Sequence, residues 1–160
     1  MRIAGYVPGC IGRVVQMHGA YYAKNWRLGP VFEAQVAREL GELMERFDPR
    51  RDGFWVALDA ETVAGAIAID GRGAPDTARL RFFIVDEGRR GAGLGERLMR
   101  AALGHCRDAR FGNVFLTTFA GLDAARKLYE RHGFVLADQR ADASWGVEVQ
   151  AQRFELRLKQ

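Results

Sequence analysis

Lysine, cysteine and histidine are all scarce in this chain, and no long apolar run interrupts it. Only two cysteines occur, Cys10 and Cys106, too few for a disulfide framework and without metal-ligand spacing. Cys106 falls on an expected helix and reads as a small buried hydrophobe. Three scattered histidines, His18, His105 and His132, share no ligand spacing, so no metal is expected. No stretch approaches the roughly 20 apolar residues of a membrane span, so no membrane partner is expected. Residues 1–12 lack the charged start and apolar stretch of a secretory signal, and a reduced cytoplasm is the expected setting. The net charge of +4 is carried almost wholly by arginine, with three lysines in the chain. No basic run exceeds two residues, which argues against nucleic acid as a partner. A small polyanionic ligand is sufficient to account for the charge.

What is present is the composition of one soluble domain over residues 1–160, long enough to bury a core. A short strand is expected near 2–6. Helical spacing of Val14, Val15, His18, Tyr21 and Tyr22 predicts a helix over 11–25. Gly29-Pro30 punctuates, and Val36, Leu40, Leu43 and Phe47 mark one face of a second helix over 31–47. The period then shifts. Residues 54–59 and 63–69 read as a hairpin around Ala60-Glu61, and 78–85 as a third strand. A helix over 93–107, a strand parallel to the preceding one over 114–118, and a helix over 123–132 capped by Asp123 follow. Residues 134–138 and 152–158 close the sheet as antiparallel strands. The expected class is α/β (α+β), a mixed sheet with helices on both sides.

The most informative segment is Arg89-Arg90-Gly91-Ala92-Gly93-Leu94-Gly95-Glu96-Arg97-Leu98. It follows a strand and opens a helix. Three glycines in five residues permit a tight turn and close backbone approach to a ligand. Unpartnered N–H groups and the helix dipole make a phosphate site. A P-loop is excluded, because Gly95 is followed by Glu96-Arg97 rather than Lys and Ser or Thr. A dinucleotide fingerprint is excluded too. The next strand, Val114-Phe115-Leu116-Thr117-Thr118, ends without the acid that would hold a ribose.

Arg90-Gly91-Ala92-Gly93-Leu94-Gly95 resembles the R/Q-x-x-G-x-G/A pyrophosphate loop of the GNAT N-acetyltransferases. Ala125-Arg126-Lys127-Leu128-Tyr129-Glu130-Arg131-His132-Gly133-Phe134 resembles that family's closing A-x-x-L-Y-E-x-x-G-F segment. The runs 29–37 and 119–125 are similar to the acetyltransferase half of proteins that fuse a MarR-type winged helix to a GNAT domain, here without the winged helix. The resemblance implies a GNAT fold whose central parallel strands splay apart, and acetyl-CoA as cosubstrate. Backbone groups of Ile84 and Val85 would receive the pantetheine arm as an added strand. The amides of Arg90, Gly91, Ala92, Gly93, Leu94 and Gly95 would take the pyrophosphate. Tyr129 matches the tyrosine that protonates the leaving thiolate. Family members are commonly dimers, so a homodimer is compatible with the resemblance.

The base is not marked in the same way. Strict alternation puts Arg79, Arg81, Phe83 and Val85 on one face of the cleft strand and Leu80, Phe82 and Ile84 on the other. Neither face offers a base, which leaves His18, Glu33, Asp70 or a water chain, with His18 and Glu33 in the helical region of the acceptor wall. An α-amine of pKa near 8 costs only about 0.7 kcal/mol to deprotonate at pH 7.5, and a lysine amine about 4. A missing base therefore favours a low-pKa amine such as an amino acid, with Arg81 a candidate to hold its carboxylate. The expected activity is N-acetylation of a small-molecule amine. A CoA-sensing module without turnover and a protein-lysine acetyltransferase stand as alternatives.

Overall fold

At residue 53 the apolar period drops from the helical to the strand value, and the architecture changes with it. The computed structural model describes residues 1–158; the last two residues of the expected domain lie outside them. Strand β1 (Arg2–Ala4) leads into helices α1 (Cys10–Trp26) and α2 (Pro30–Glu45). Strands β2 (Gly53–Asp59), β3 (Thr62–Asp70) and β4 (Thr77–Val85) form a meander. Helix α3 (Leu94–Asp108), strand β5 (Asn113–Phe119), helix α4 (Asp123–Arg131) and strands β6 (Val135–Asp142) and β7 (Val149–Arg157) complete the order. The seven strands form one sheet in the order β1-β2-β3-β4-β5-β7-β6. Every neighbouring pair is antiparallel except β4 and β5, which α3 connects in parallel.

The helix boundaries follow local chemistry. Pro30 occupies the first turn of α2, where its missing N–H costs nothing. Gly93 precedes α3 with φ 78, a left-handed value that suits glycine. Asp123, the expected cap of α4, is instead its first residue; Leu122 occupies the cap position and no side-chain cap forms. The terminal hairpin is longer than its pattern suggests. Nearly all of β6 is exposed, so it shows no burial alternation to read.

Two cores flank the sheet. On one face Leu98, Met99, Leu103, Phe111 and Phe154 pack between α3, α4 and the strands. On the other, Val14 and Met17 of α1 and Leu40 and Leu43 of α2 pack on Val56, Ala66 and Ile84. Truncating a fully buried leucine such as Leu98 should cost about 2–5 kcal/mol. A third cluster, of Leu28, Phe32, Val36, Phe119 and Val149, joins the α1–α2 end to the β5–β7 end of the sheet.

Strict alternation fails in β4. Phe82 takes φ 55, and the two residues Phe82 and Phe83 oppose the single Ile67 between the pairs Ala66–Ile84 and Ala68–Arg81. This β-bulge reverses the parity of the strand. Leu80, Phe83 and Val85 pack toward α3 and α4, while Phe82 and Ile84 pack toward α1 and α2. Arg81 reaches α2 on that same side. The expected grouping of Arg81 with Phe83 and Val85 is thereby corrected.

Candidate active site

Strands β4 and β5 pair only through Thr77–Asn113, Ala78–Val114 and Arg79–Phe115. Beyond Arg79 the two strands separate. The β5-facing edge of β4 from Leu80 to Val85 is left without a strand partner among the described residues. A cavity of about 900 Å³ fills the fork. That volume lies in the upper part of the roughly 300–1,000 Å³ range of small-molecule sites.

One end of the cavity is built for an anion. Gly91 (φ 89) and Gly93 (φ 78) turn the chain, and no atom lies within 4 Å of where a Cβ would stand at either. The α3 ladder begins with Arg97 N–H donating to the Gly93 carbonyl at 3.1 Å. The amides of Leu94, Gly95 and Glu96 therefore precede it, with a glycine cap that brings no side chain to cover them. A Cβ at Gly95 would stand 3.3 Å from Leu128 and from Phe83, so this glycine lets α3 sit close to α4 and β4. Arg89 is neutralised by Asp59 and Asp86. Arg90 carries the free charge: it lies 4.7 Å over the Tyr21 ring, and its Nε donates to the Val85 carbonyl at 3.4 Å. A pyrophosphate fits this end on the geometry alone.

Tyr129, 6% exposed, stands on α4 between Phe83, Phe134 and Phe154 and lines the cavity. Its hydroxyl makes no hydrogen bond among the described residues. Burial, with a smaller contribution from Tyr22, pushes its pKa above the ordinary tyrosine value, so the phenol stays protonated at neutral pH.

His18 lies across the cleft on α1, stacked on Tyr22 and edge-on to Phe82 at the bulge. Its Nδ1 is 2.8 Å from the Val14 carbonyl. A carbonyl only accepts, so Nδ1 bears the proton and Nε2 keeps its lone pair. Burial pulls the His18 pKa below its ordinary value, only partly opposed by the Val14 bond, so the ring is neutral.

A chamber opens on the α1–α2 side. Its wall is aromatic: Phe32, Tyr22, Phe119 and Trp145. Trp145 Nε1 donates to Gln35 Oε1 at 2.9 Å, which ties the β6–β7 connection to α2 and closes that side. Arg79 and Arg81 supply the polar floor.

A family model for the acetyltransferase (GNAT) family matches residues 14–134. The chain belongs to the GNAT acetyltransferase family. It is 36% identical over 116 residues to an N-acetylaspartate synthetase of Xenopus tropicalis, a match covering 71% of this chain and 42% of the relative. It is 33% identical over 138 residues to a mycothiol acetyltransferase of Nocardiopsis dassonvillei, covering 78% and 41%. The chain thus spans about two fifths of the length of these relatives. A Salmonella typhimurium protein described as an acetyltransferase and solved with its cofactor acetyl-CoA superposes with a TM-score of 0.77. That pair is 14% identical, with 100% of this chain and 95% of the other covered.

The GNAT scaffold gathers most of the residues singled out from sequence. Ile84, Val85, Arg90, Gly91, Gly93, Leu94, Gly95, Tyr129, His18 and Arg81 all line the one cavity. Ala92 sits exposed at the loop tip between the two glycines. Glu33 is not among the lining residues. It is exposed on α2, its carboxylate lies over Gly19, and it borders a separate shallow groove. Asp70 is bound by Arg46 at 2.8 Å and Arg81 at 3.0 Å. Burial raises its pKa, but the hydrogen bonds from Arg46, the Arg72 amide and Arg81 outweigh that, leaving a carboxylate too weakly basic for proton abstraction.

Arg81 is likewise committed, with Glu39 at 2.8 Å as its second partner. The carboxylate-holding role expected of it has no free guanidinium behind it. Glu39, Arg79, Thr117 and Trp145 are among the lining residues that the pattern did not mark as site residues. For Arg79 the signal was present, since it shares a strand face with Arg81. Among the described residues no helix is long and apolar enough to cross a membrane, and no group of acidic, histidine or cysteine side chains is placed to hold a metal ion.

Proposed function

We propose that this chain is an acetyl-CoA-dependent N-acetyltransferase acting on the primary amine of a small molecule. The observation that carries the reading is the parting of β4 from β5 beside the glycine-capped start of α3. An extended arm adds to the free β4 edge at Ile84 and Val85, and a pyrophosphate meets the amides of the loop from Arg90 to Gly95. Acetyl-CoA, when bound, supplies the activated acetyl group and departs as a thiol.

Tyr129 donates its hydroxyl proton to the departing sulfur, a role that suits a phenol kept neutral by burial. His18 Nε2, the unprotonated nitrogen of a neutral ring, takes the proton that the attacking amine releases. The chamber behind Phe82 receives the acceptor. The Trp145–Gln35 bond closes it on one side, which favours a small molecule over a lysine presented on a folded protein. The names of the two relatives, an N-acetylaspartate synthetase and a mycothiol acetyltransferase, support a small-molecule acceptor. The runs that resemble the acetyltransferase half of MarR-type fusions contribute Phe32, Val36 and Phe119 to this chamber, which supports a shared acceptor wall.

The test is release of free thiol from acetyl-CoA with a panel of small amines and lysine peptides. Turnover with small amines supports the reading. Turnover confined to lysine peptides, or none with any amine, would replace it with the protein-directed or the non-catalytic alternative.

A further inference from the structure

We propose that the acceptor carries a carboxylate and that Arg79 is the residue that binds it. The inference rests on the acetyltransferase reading for the reaction. The anion site itself rests on the charge balance of the cavity.

Arg79 and Arg81 stand on the same face of β4, and both line the chamber. Their surroundings differ. Arg81 has Glu39 at 2.8 Å and Asp70 at 3.0 Å. Asp70 is shared with Arg46 as well, so neither acid is free to turn toward Arg79. Among the described residues Arg79 has no carboxylate within ion-pair distance. Its one side-chain hydrogen bond is to a neutral group, Nη2 donating to Thr117 Oγ1 at 3.1 Å. Its Nε is shielded from solvent and has no partner at all.

Arg79 is half-buried, and among the described residues its guanidinium meets only Thr117 and, at 5.9 Å, the Phe115 ring, so its charge has no counter-ion. Burial, together with the neighbouring charge of Arg81, pulls the Arg79 pKa down, and the more distant Glu39 and Asp70 only partly oppose this. A small anion entering the chamber relieves that condition. A carboxylate matches the planar fork of the guanidinium in shape as well as charge.

The position also fits. Arg79 sits at the vertex of the fork, three residues before the bulge at Phe82, or about 10 Å along the strand. An extended arginine and a short amino acid together bridge that distance, which leaves the amine near Phe82 and His18. The chemical class that results is a small amino acid or a close analogue, its ammonium group of modest pKa and its carboxylate anchored. The aromatic wall of Phe32 and Trp145 accepts whatever apolar portion the molecule has.

The test compares glycine, alanine, leucine and phenylalanine as free acids with the same four as α-carboxamides. kcat/KM is measured with acetyl-CoA, and binding to the CoA-loaded protein is measured by calorimetry without turnover. The free acids should be favoured in both by about 10- to 100-fold, the range for hydrogen bonds to a charged partner. Arg79→Met should erase that preference by raising KM for the acids. Any loss for the amides should be small beside that for the acids, and the thermal shift from acetyl-CoA should stay intact. Arg79→Lys should restore part of the preference, because it keeps the charge and loses the fork.

Arg79→Met gives up only the Thr117 bond and the Phe115 contact and no ion pair, so it should still fold and melt near the parent. Equal use of acids and amides, or equal losses for both in Arg79→Met, overturns the proposal and leaves the acetyltransferase reading standing. Acid-selective binding that depends on Arg79, without turnover of any amine, supports the anion site and removes the acetyltransferase reading. Absence of any acid-selective binding overturns the proposal.

Discussion

Arg81 on β4 and Glu39 on α2 meet at 2.8 Å across the floor of the chamber, and the side chain of Arg81 is only 11% exposed. The pair fixes α2 to the cleft strand just before the bulge. Arg81 also holds Asp70, so its removal leaves Glu39 without an ion pair among the described residues and Asp70 with Arg46 alone. Arg81→Ala should therefore destabilise the protein by about 2–4 kcal/mol, in the range for breaking one side of a largely buried ion pair. Denaturant unfolding measures this. A loss under about 0.5 kcal/mol, the level of an ordinary surface change, would show that the network is ornamental.

Tyr129→Phe keeps the ring among Phe83, Phe134 and Phe154 and removes only the proton. Stability should change little, because the hydroxyl has no protein partner among the described residues. kcat should fall about 100-fold with KM for acetyl-CoA nearly unchanged, the scale of a lost general acid. Steady-state kinetics with the best amine decides it. An unchanged kcat would leave Tyr129 as a packing residue.

The neutral state of His18 has a consequence for acid stability. Its folded pKa is lowered, so the unfolded chain binds this proton more readily than the folded one. Its contribution to stability is fully present above the unfolded value near 6.5 and is lost as the pH falls below it, until the folded pKa is passed. His18→Asn should flatten the pH dependence of the melting temperature just below pH 6.5. The same variant should lower kcat at neutral pH by about 100-fold. Parent and variant curves of identical slope in that window would show that His18 titrates normally.

Gly93 adopts φ 78 at the start of α3. Gly93→Ala should cost about 1 kcal/mol of stability from left-handed strain. It should also weaken acetyl-CoA binding well beyond that, as the proposed phosphate cradle requires. Calorimetric titration separates the two effects. Undiminished affinity would mean that the phosphates lie elsewhere.

The glycine loop was legible because glycine reports backbone geometry directly. The expected start of the third helix at 93 and the observed start at Leu94 differ by one residue. The order of elements was legible for the same kind of reason, through the break at Gly29-Pro30 and the period change after Asp52. The bulge was not. It falls on Phe82, a bulky residue at φ 55, with no glycine to mark it. Strict alternation therefore misassigned the second half of β4.

The floor and wall of the chamber were also out of reach. Arg81 and Glu39 are 42 positions apart, and Trp145 and Gln35 are 110 apart. Contacts of that separation are set by the packing of α2 against the sheet, which no local pattern encodes. Glu33 was read as a candidate because it falls in the helical region of the acceptor wall, but helical geometry turns it to the outer side, over Gly19.

The central claim is that the fork between β4 and β5, with its glycine-capped helix, binds acetyl-CoA. The most direct measurement is the melting temperature with and without acetyl-CoA, with NADH as a control that shares the pyrophosphate and lacks the pantetheine arm. At about 100 times Kd the ligand should stabilise the fold by about 2.7 kcal/mol. For a chain of this size that corresponds to roughly 5–10 °C. A shift with acetyl-CoA and none with NADH is the predicted result. No shift at saturating acetyl-CoA would contradict the account, leaving the loop as a turn and the cavity without its cosubstrate.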